Sequence, residues 1–250
     1  MKSIVKGLPS FFTCLALISG CISVVITLSR GGNLNMAGYF ILASAVLDFV
    51  DGFVARMVQN VTEFGKQLDS LADMVSFGVA PGMILYRLLS YVGNSPASDF
   101  DMIHPLPFQN WVLYGAFLVT AFSALRLAKF NLDLKQVKNF RGLPTPANAL
   151  FITALGFASE SSRTLPMKEL VFNKGFLLII IGLSCFLLVS NISMFSLKFS
   201  SWGFKQNSLR YIFILIAAVV LIFYGLPGMA AVIVIYILLS WLNNRLVKMP

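Results

Sequence analysis

Four of the seven aspartates in this chain, Asp48, Asp51, Asp69 and Asp73, lie between positions 48 and 73. Asp48 and Asp51 are spaced i,i+3, and Asp69 and Asp73 are spaced i,i+4. On helices each pair therefore shares a face, about 4.5 and 6 Å apart along the axis. The loop between the two pairs is short, so their helices are expected to be antiparallel neighbours with the two acidic faces meeting. Arg56 and Lys66 are too few to neutralise four carboxylates, and a buried unpaired charge is expensive. Divalent metal resolves the conflict. Hard oxygen ligands, and no usable His or Cys, favour Mg²⁺ or Mn²⁺ over zinc. Such a centre is suited to phosphate chemistry.

Between the aspartates stand residues of a different kind. Gly52 and Ala55 remove side-chain bulk where a nucleotide would approach the helix, and Arg56 can pair with a phosphate or hold a carboxylate. Taken singly they have simpler readings, as small residues packing helices together and as a basic anchor at a membrane boundary. Taken as one spaced set with four carboxylates, they favour a ligand site.

The elements that must position these residues follow from composition. In 250 residues, 58% are hydrophobic and 12% charged, with a mean hydropathy of +0.83. A soluble enzyme, a secreted module and a disordered chain are excluded. Gly175–Leu197 and Tyr211–Asn244 carry no charge at all, and about 20 apolar residues suffice to cross the hydrocarbon core. The fold class is all-α integral membrane. Apolar runs predict about eight spans, near 10–29, 36–56, 69–92, 110–130, 145–160, 174–193, 209–225 and 228–244. Met1–Ser10 is expected to be a short interfacial segment, and Gly225–Gly228 the turn of a closing hairpin. Two units are expected, a transmembrane domain over 1–193 and a C-terminal hairpin over 194–250.

Charge orients the chain. With alternating spans and the N-terminus inside, 14 of the 19 Lys and Arg residues fall on the inner side, as the positive-inside rule requires. The same count puts the aspartates, Arg126, Lys129 and Arg141 at the cytoplasmic face. It puts the only histidine, His104, in a loop on the opposite side. The net charge of +9 thus points to anionic membrane lipid as partner, and no nucleic acid is expected. Cys14, Cys21 and Cys185 lack metal-site or disulfide spacing.

The full spacing, Asp48-x2-Asp51-Gly52-x2-Ala55-Arg56-x8-Gly65-x3-Asp69-x3-Asp73, resembles the signature of the CDP-alcohol phosphotransferase family at all eight positions. The resemblance covers roughly residues 10–193, a six-helix core, and leaves the terminal hairpin outside. It implies attack by an acceptor hydroxyl on the β-phosphorus of a CDP-linked lipid or alcohol, with departure of CMP. It also implies two divalent cations held by Asp48, Asp51 and Asp69, with Asp73 approaching one of them and acting as base. Gly52, Ala55, Arg56 and Gly65 would line the nucleotide site. Relatives of this kind imply a homodimer.

Two further stretches, Asp69–Gly82 and Ala124–Asn131 followed by Phe140–Ala149, are similar to the family members that join L-serine to CDP-diacylglycerol, the integral-membrane phosphatidylserine synthases. Arg126, Lys129 and Arg141 are candidates to bind the diphosphate and the serine carboxylate, or else to enforce topology. Ser76, Asn131 and Asn148 are candidates to orient serine. Pro144-Thr145-Pro146 suits a helix start, and Gly78, Pro81 and Gly82 are expected to kink the third helix. Glycerol 3-phosphate or an inositol-type alcohol remains open as acceptor. A cation transporter is the rival from another class, opposed by the Gly/Ala/Arg set interleaved with the acids.

Overall fold

Apolar residues at nearly every position give the backbone no partner but itself, and in hydrocarbon the helix satisfies each N–H and C=O internally. The computed structural model describes residues 2–58, 62–92, 111–132, 140–162, 164–194 and 204–247. His104 and the 134–139 loop lie outside the described residues. In chain order the helices are α1 (Lys2–Leu28), α2 (Leu34–Val58), α3 (Glu63–Asp73), α4 (Ala80–Val92), α5 (Trp111–Tyr114) and α6 (Phe117–Leu132). They are followed by α7 (Thr145–Glu160), α8 (Leu165–Val171), α9 (Lys174–Val189), α10 (Phe204–Tyr224) and α11 (Met229–Val247).

Each of the eight expected spans corresponds to helix. Among the described residues, five stretches are long and apolar enough to cross a membrane unaided: Pro9–Leu28, Glu63–Val92, Trp111–Leu132, Asn207–Tyr224 and Leu226–Asn243. The pair α8 and α9, bent by 80°, makes a sixth if read as one span. Among the rest, α2 carries Asp48, Asp51 and Arg56, and α7 has only 16 residues. The N-terminal segment is helical: α1 runs unbroken from Lys2 through Pro9, where the ring removes a single backbone donor, and the stretch long and apolar enough to cross a membrane begins at Pro9.

Small and hydroxyl residues determine how closely the helices meet. Ser19 and Ser23 of α1 donate to the carbonyls of Phe40 and Ala37 in α2, at 2.7 and 2.8 Å. The Ala16 carbonyl accepts from both Ser44 of α2 (2.7 Å) and Ser76 (3.1 Å). At Gly20 an added Cβ would come within 2.8 Å of the Ser76 Cα, so only glycine permits that approach. Glu160, at the end of α7, accepts from the backbone N–H groups of Leu34 (2.5 Å) and Asn35 (3.2 Å). This satisfies exposed donors and places a negative charge at the start of α2.

The expected kink in the third span is instead a change of helix type. Met74–Val79 forms a π-helical turn, in which Ala80 N–H bonds to the Val75 carbonyl, and α3 and α4 continue through it as one rod. Pro81 explains the need: in an α-helix its ring would press on the carbonyl four residues back, and a wider turn relieves this. The glycines serve contact with α6. Thr120 donates to the Gly78 carbonyl at 3.0 Å, and a side chain at Gly82 would collide with the Thr120 hydroxyl.

The core sits around α4, buried from Ala80 to Ser90, and around α7. Outside them α10 is mostly exposed, with Leu215, Ile222 and Phe223 outward, as suits a lipid-facing helix. Gly225, at φ 64°, and a 3₁₀ turn over Leu226–Gly228 return the chain into α11, which packs on α7. One short antiparallel pair, β1 (Phe140–Arg141) with β2 (Ser193–Met194), was not legible as strand. It ties the approach to α7 onto the segment after α9.

Candidate active site

Asp48 and Asp51 sit on successive turns of α2, and Asp69 faces them from α3. Each of these three offers a carboxylate oxygen, and the oxygens all lie within 4.8 Å of one another. Like charges this close repel one another unless a cation lies among them. Asp51 is 6% exposed. Among the described residues none of the three has a Lys or Arg ion-pair partner; Lys66 pairs instead with Glu63 within α3, at 2.7 Å. Uncompensated oxygens converging on one point fit a hard divalent cation.

Thr13 is a member that sequence reasoning missed. Its hydroxyl oxygen lies 2.6 Å from Asp51 Oδ2 and 3.0 Å from the Pro9 carbonyl, so the shorter, charge-assisted bond orients the carboxylate. The contact spans 38 residues of sequence.

Asp73 stands apart from this trio. It closes α3 where the π turn begins, and its carboxylate feels the charges of Asp48, Asp69, Asp51 and Arg126. Arg126, on α6, donates from Nη1 to Thr145 Oγ1 at 3.0 Å, while its buried Nε has no partner among the described residues. An arginine facing a carboxylate and retaining a free donor is placed to receive an anion.

Beside the trio lies a cavity of about 220 Å³. Of the sequence candidates it brings together Asp51, Gly52, Ala55, Arg56, Gly65 and Asp69. It adds Ser10, Thr13, Thr62 and Lys66, which the spacing alone did not single out. Thr62 caps α3 by accepting from Gly65 N–H at 3.0 Å, and the N-terminal turn of that helix favours negative charge. Gly52 is not required by the protein's own packing: a Cβ there would meet only Arg56 Nη1, at 3.5 Å. The open space it leaves belongs to the cavity.

The remaining candidates are placed elsewhere. Ser76 is buried against α1 through the Ala16 carbonyl. Asn131 is exposed and donates to Ser70 Oγ at 2.8 Å, joining α6 to α3. Lys129 is exposed on α6. Arg141 lies in β1, where the backbone alone is described. Asn148, 1% exposed, lines a second cavity between α7, α9 and α11.

Comparison with known proteins agrees with the motif. The family model described as CDP-alcohol phosphatidyltransferase matches residues 6–189, ending at α9 and leaving α10 and α11 outside. The chain is 37% identical over 161 residues to the archaetidylserine synthase of Methanothermobacter thermautotrophicus, covering 62% of this chain and 61% of that protein. It is 31% identical over 208 residues to the CDP-diacylglycerol–serine O-phosphatidyltransferase of Helicobacter pylori strain J99, covering 82% and 79%. To the Bacillus subtilis protein of the same name it is 34% identical over 125 residues, covering 50% and 62%. With Asp51, Asp69, the small residues and the arginine of the motif set around one cavity, and the family model matching the core that carries them, the chain belongs to the CDP-alcohol phosphatidyltransferase family.

Proposed function

We propose that the chain transfers the phosphatidyl group of CDP-diacylglycerol to L-serine, giving phosphatidylserine and CMP. The observation that carries this reading is the carboxylate trio, two members of which, Asp51 and Asp69, line a cavity walled by Gly52, Ala55 and Arg56, in a chain whose relatives are named for serine transfer. Asp48, Asp51 and Asp69 would hold divalent metal, which when bound neutralises charge on the diphosphate. The hard oxygen donors favour Mg²⁺ or Mn²⁺, and a count of two follows the family resemblance.

The chain's own groups carry the remaining work. Arg56 and Lys66, on the cavity wall, meet phosphate oxygens, and Gly52 and Ala55 admit the nucleotide. Arg126 holds the serine carboxylate or a phosphate oxygen. Asp73, between Arg126 and the trio, accepts the proton of the serine hydroxyl as its oxygen bonds to the β-phosphorus. The bond from that phosphorus to the CMP oxygen breaks, and CMP leaves. The reaction takes place at the cytoplasmic face of the membrane, a bacterial one by the family resemblance, because the basic residues crowd the side where the acids lie. The working unit is a homodimer, as that resemblance also implies.

The test is CMP release from CDP-diacylglycerol by purified protein, with and without L-serine and Mn²⁺. Glycerol 3-phosphate and inositol are offered in parallel. Release that requires both serine and metal is expected. Release with another acceptor and none with serine would transfer the reading to that acceptor, and metal flux without CMP release would make the protein a transporter.

A further inference from the structure

Between Met229 and Leu239 the C-terminal helix α11 carries a single polar side chain, Tyr236. It is 7% exposed and lies in one buried cluster with Leu143, Met194 and Phe213, against which Ala147 packs. Its ring meets that of Phe213 in α10 with centroids 5.8 Å apart, tilted by 55°. Phenylalanine would serve that packing, so the hydroxyl asks for a different account. Leu143 and Ala147 flank Thr145, which is fully buried and accepts from Arg126 Nη1 at 3.0 Å. The cluster thus brings the tyrosine of α11 beside the arginine of α6, and the two side chains interact electrostatically. Arg126 and Asp73 also feel each other's charge, yet neither a hydrogen bond nor an ion pair joins them among the described residues.

We propose that Tyr236 is a positioning residue for the transfer: with Thr145 it holds the Arg126 guanidinium open toward a substrate anion and off Asp73. A guanidinium closed onto Asp73 would be occupied when that anion arrived, and the anion would have to displace a carboxylate to bind. The phenol oxygen offers a neutral dipole instead. It attracts the cation without cancelling its charge, and a substrate carboxylate or phosphate takes the guanidinium with no like charge to expel. The C-terminal hairpin, outside the matched residues 6–189, thereby acts on the chemistry of the core: α10 supplies the ring that Tyr236 leans on, and α11 supplies the hydroxyl. The inference rests on the transfer reaction proposed above, in which Arg126 holds an anion of one substrate.

The test is a double-mutant cycle in full-length protein, with KM and kcat for each substrate read from CMP release. Tyr236→Phe keeps the ring on Phe213 and removes only the oxygen, so Tm should hold. KM for the substrate whose binding Arg126→Ala weakens should rise about fivefold, the scale of one polar contact, and the other KM should not move. At saturation the anion draws the guanidinium back from Asp73, so kcat should hold as well. Introduced into Arg126→Ala, the same change should do nothing more, because it acts through the guanidinium. An equal rise in both backgrounds, or a fall in Tm and kcat with both KM values unchanged, would make Tyr236 a packing residue and overturn the proposal. Serine-dependent release by the unaltered chain tests the reaction separately. If only another anionic acceptor supports release and the cycle measured with it is still coupled, transfer to serine falls and the role of Tyr236 stands.

Discussion

Thr13 on α1 and Asp51 on α2 are joined by a 2.6 Å hydrogen bond, and through it the N-terminal helix fixes one edge of the carboxylate trio. Thr13→Val keeps the shape and removes the donor. Mn²⁺ affinity, measured by titration calorimetry, should fall by roughly 10-fold, within the usual range for loss of a residue that orients a metal ligand. Thr13→Ser should retain most of it. Equal affinity for the Val variant and the parent would reduce the contact to helix packing.

Asp73 and the trio should separate kinetically. Asp73→Asn is expected to bind Mn²⁺ and CMP normally and to lower kcat by about 10² or more, the scale of losing a general base. Asp48→Asn, Asp51→Asn and Asp69→Asn should instead lose metal affinity, and excess Mn²⁺ should restore part of their activity. Near-normal turnover by Asp73→Asn at saturating serine and metal would remove Asp73 from proton transfer.

Gly52 offers a test in which stability and binding move in opposite directions. Alanine in a helix interior is favoured over glycine by about 0.5–1 kcal/mol, and the protein leaves room for the methyl group. Tm of Gly52→Ala should therefore rise or hold. A nucleotide packed against the bare helix would meet that methyl at a cost of about 1–3 kcal/mol, so Kd for CMP should rise roughly 10-fold. Unchanged CMP binding would show that the nucleotide lies elsewhere.

Arg126→Ala should raise KM for serine or for CDP-diacylglycerol more than about 10-fold, as loss of a charge-assisted bond of roughly 1.5–3 kcal/mol would. Whichever KM moves identifies the anion that Arg126 holds. Thr145→Val, which frees the guanidinium from its 3.0 Å anchor, should produce a smaller change in the same constant. Unchanged KM for both substrates in Arg126→Ala would leave the residue a topological anchor.

Orientation is tested by single cysteines at Asn60 and Lys135 in a chain whose own cysteines are replaced by serine. A membrane-impermeant maleimide should reach both sites in inverted vesicles and neither in intact cells. Labelling from outside would place the acids on the other face.

The helices and the acid pairs were legible because both follow from periodicity: apolar runs mark spans, and i,i+3 and i,i+4 steps mark faces. Gly52, Ala55, Arg56 and Gly65 were legible from their spacing, and the structure sets all four around one cavity. Thr13 was not, because Ser19, Ser23 and Thr27 share its apolar setting on α1 and bond only to backbone carbonyls. Only the tertiary placement of Asp51 distinguishes it. Ser76 showed the opposite difficulty: three residues after Asp73 it looked like part of the site, yet the close approach allowed by Gly20 claims its hydroxyl for packing. The widened turn was hidden too, since glycine and proline announce a disturbance in a helix without saying which kind.

That widened turn works as a gear between two halves of one rod. Each residue of an α-helix advances the side chains by about 100° and 1.5 Å, so the six π-helical residues Met74–Val79 determine the angle at which Asp69 and Asp73 stand relative to everything that α4 packs against. Rewound as plain α-helix at unchanged length and hydropathy, those six residues would turn further about the axis, because each residue of the wider turn advances by less. With α4 held in the core, the acids would swing by about a quarter turn, away from Asp48, Asp51 and Arg126. The phase of the helix, more than its composition, keeps the two pairs of aspartates facing each other.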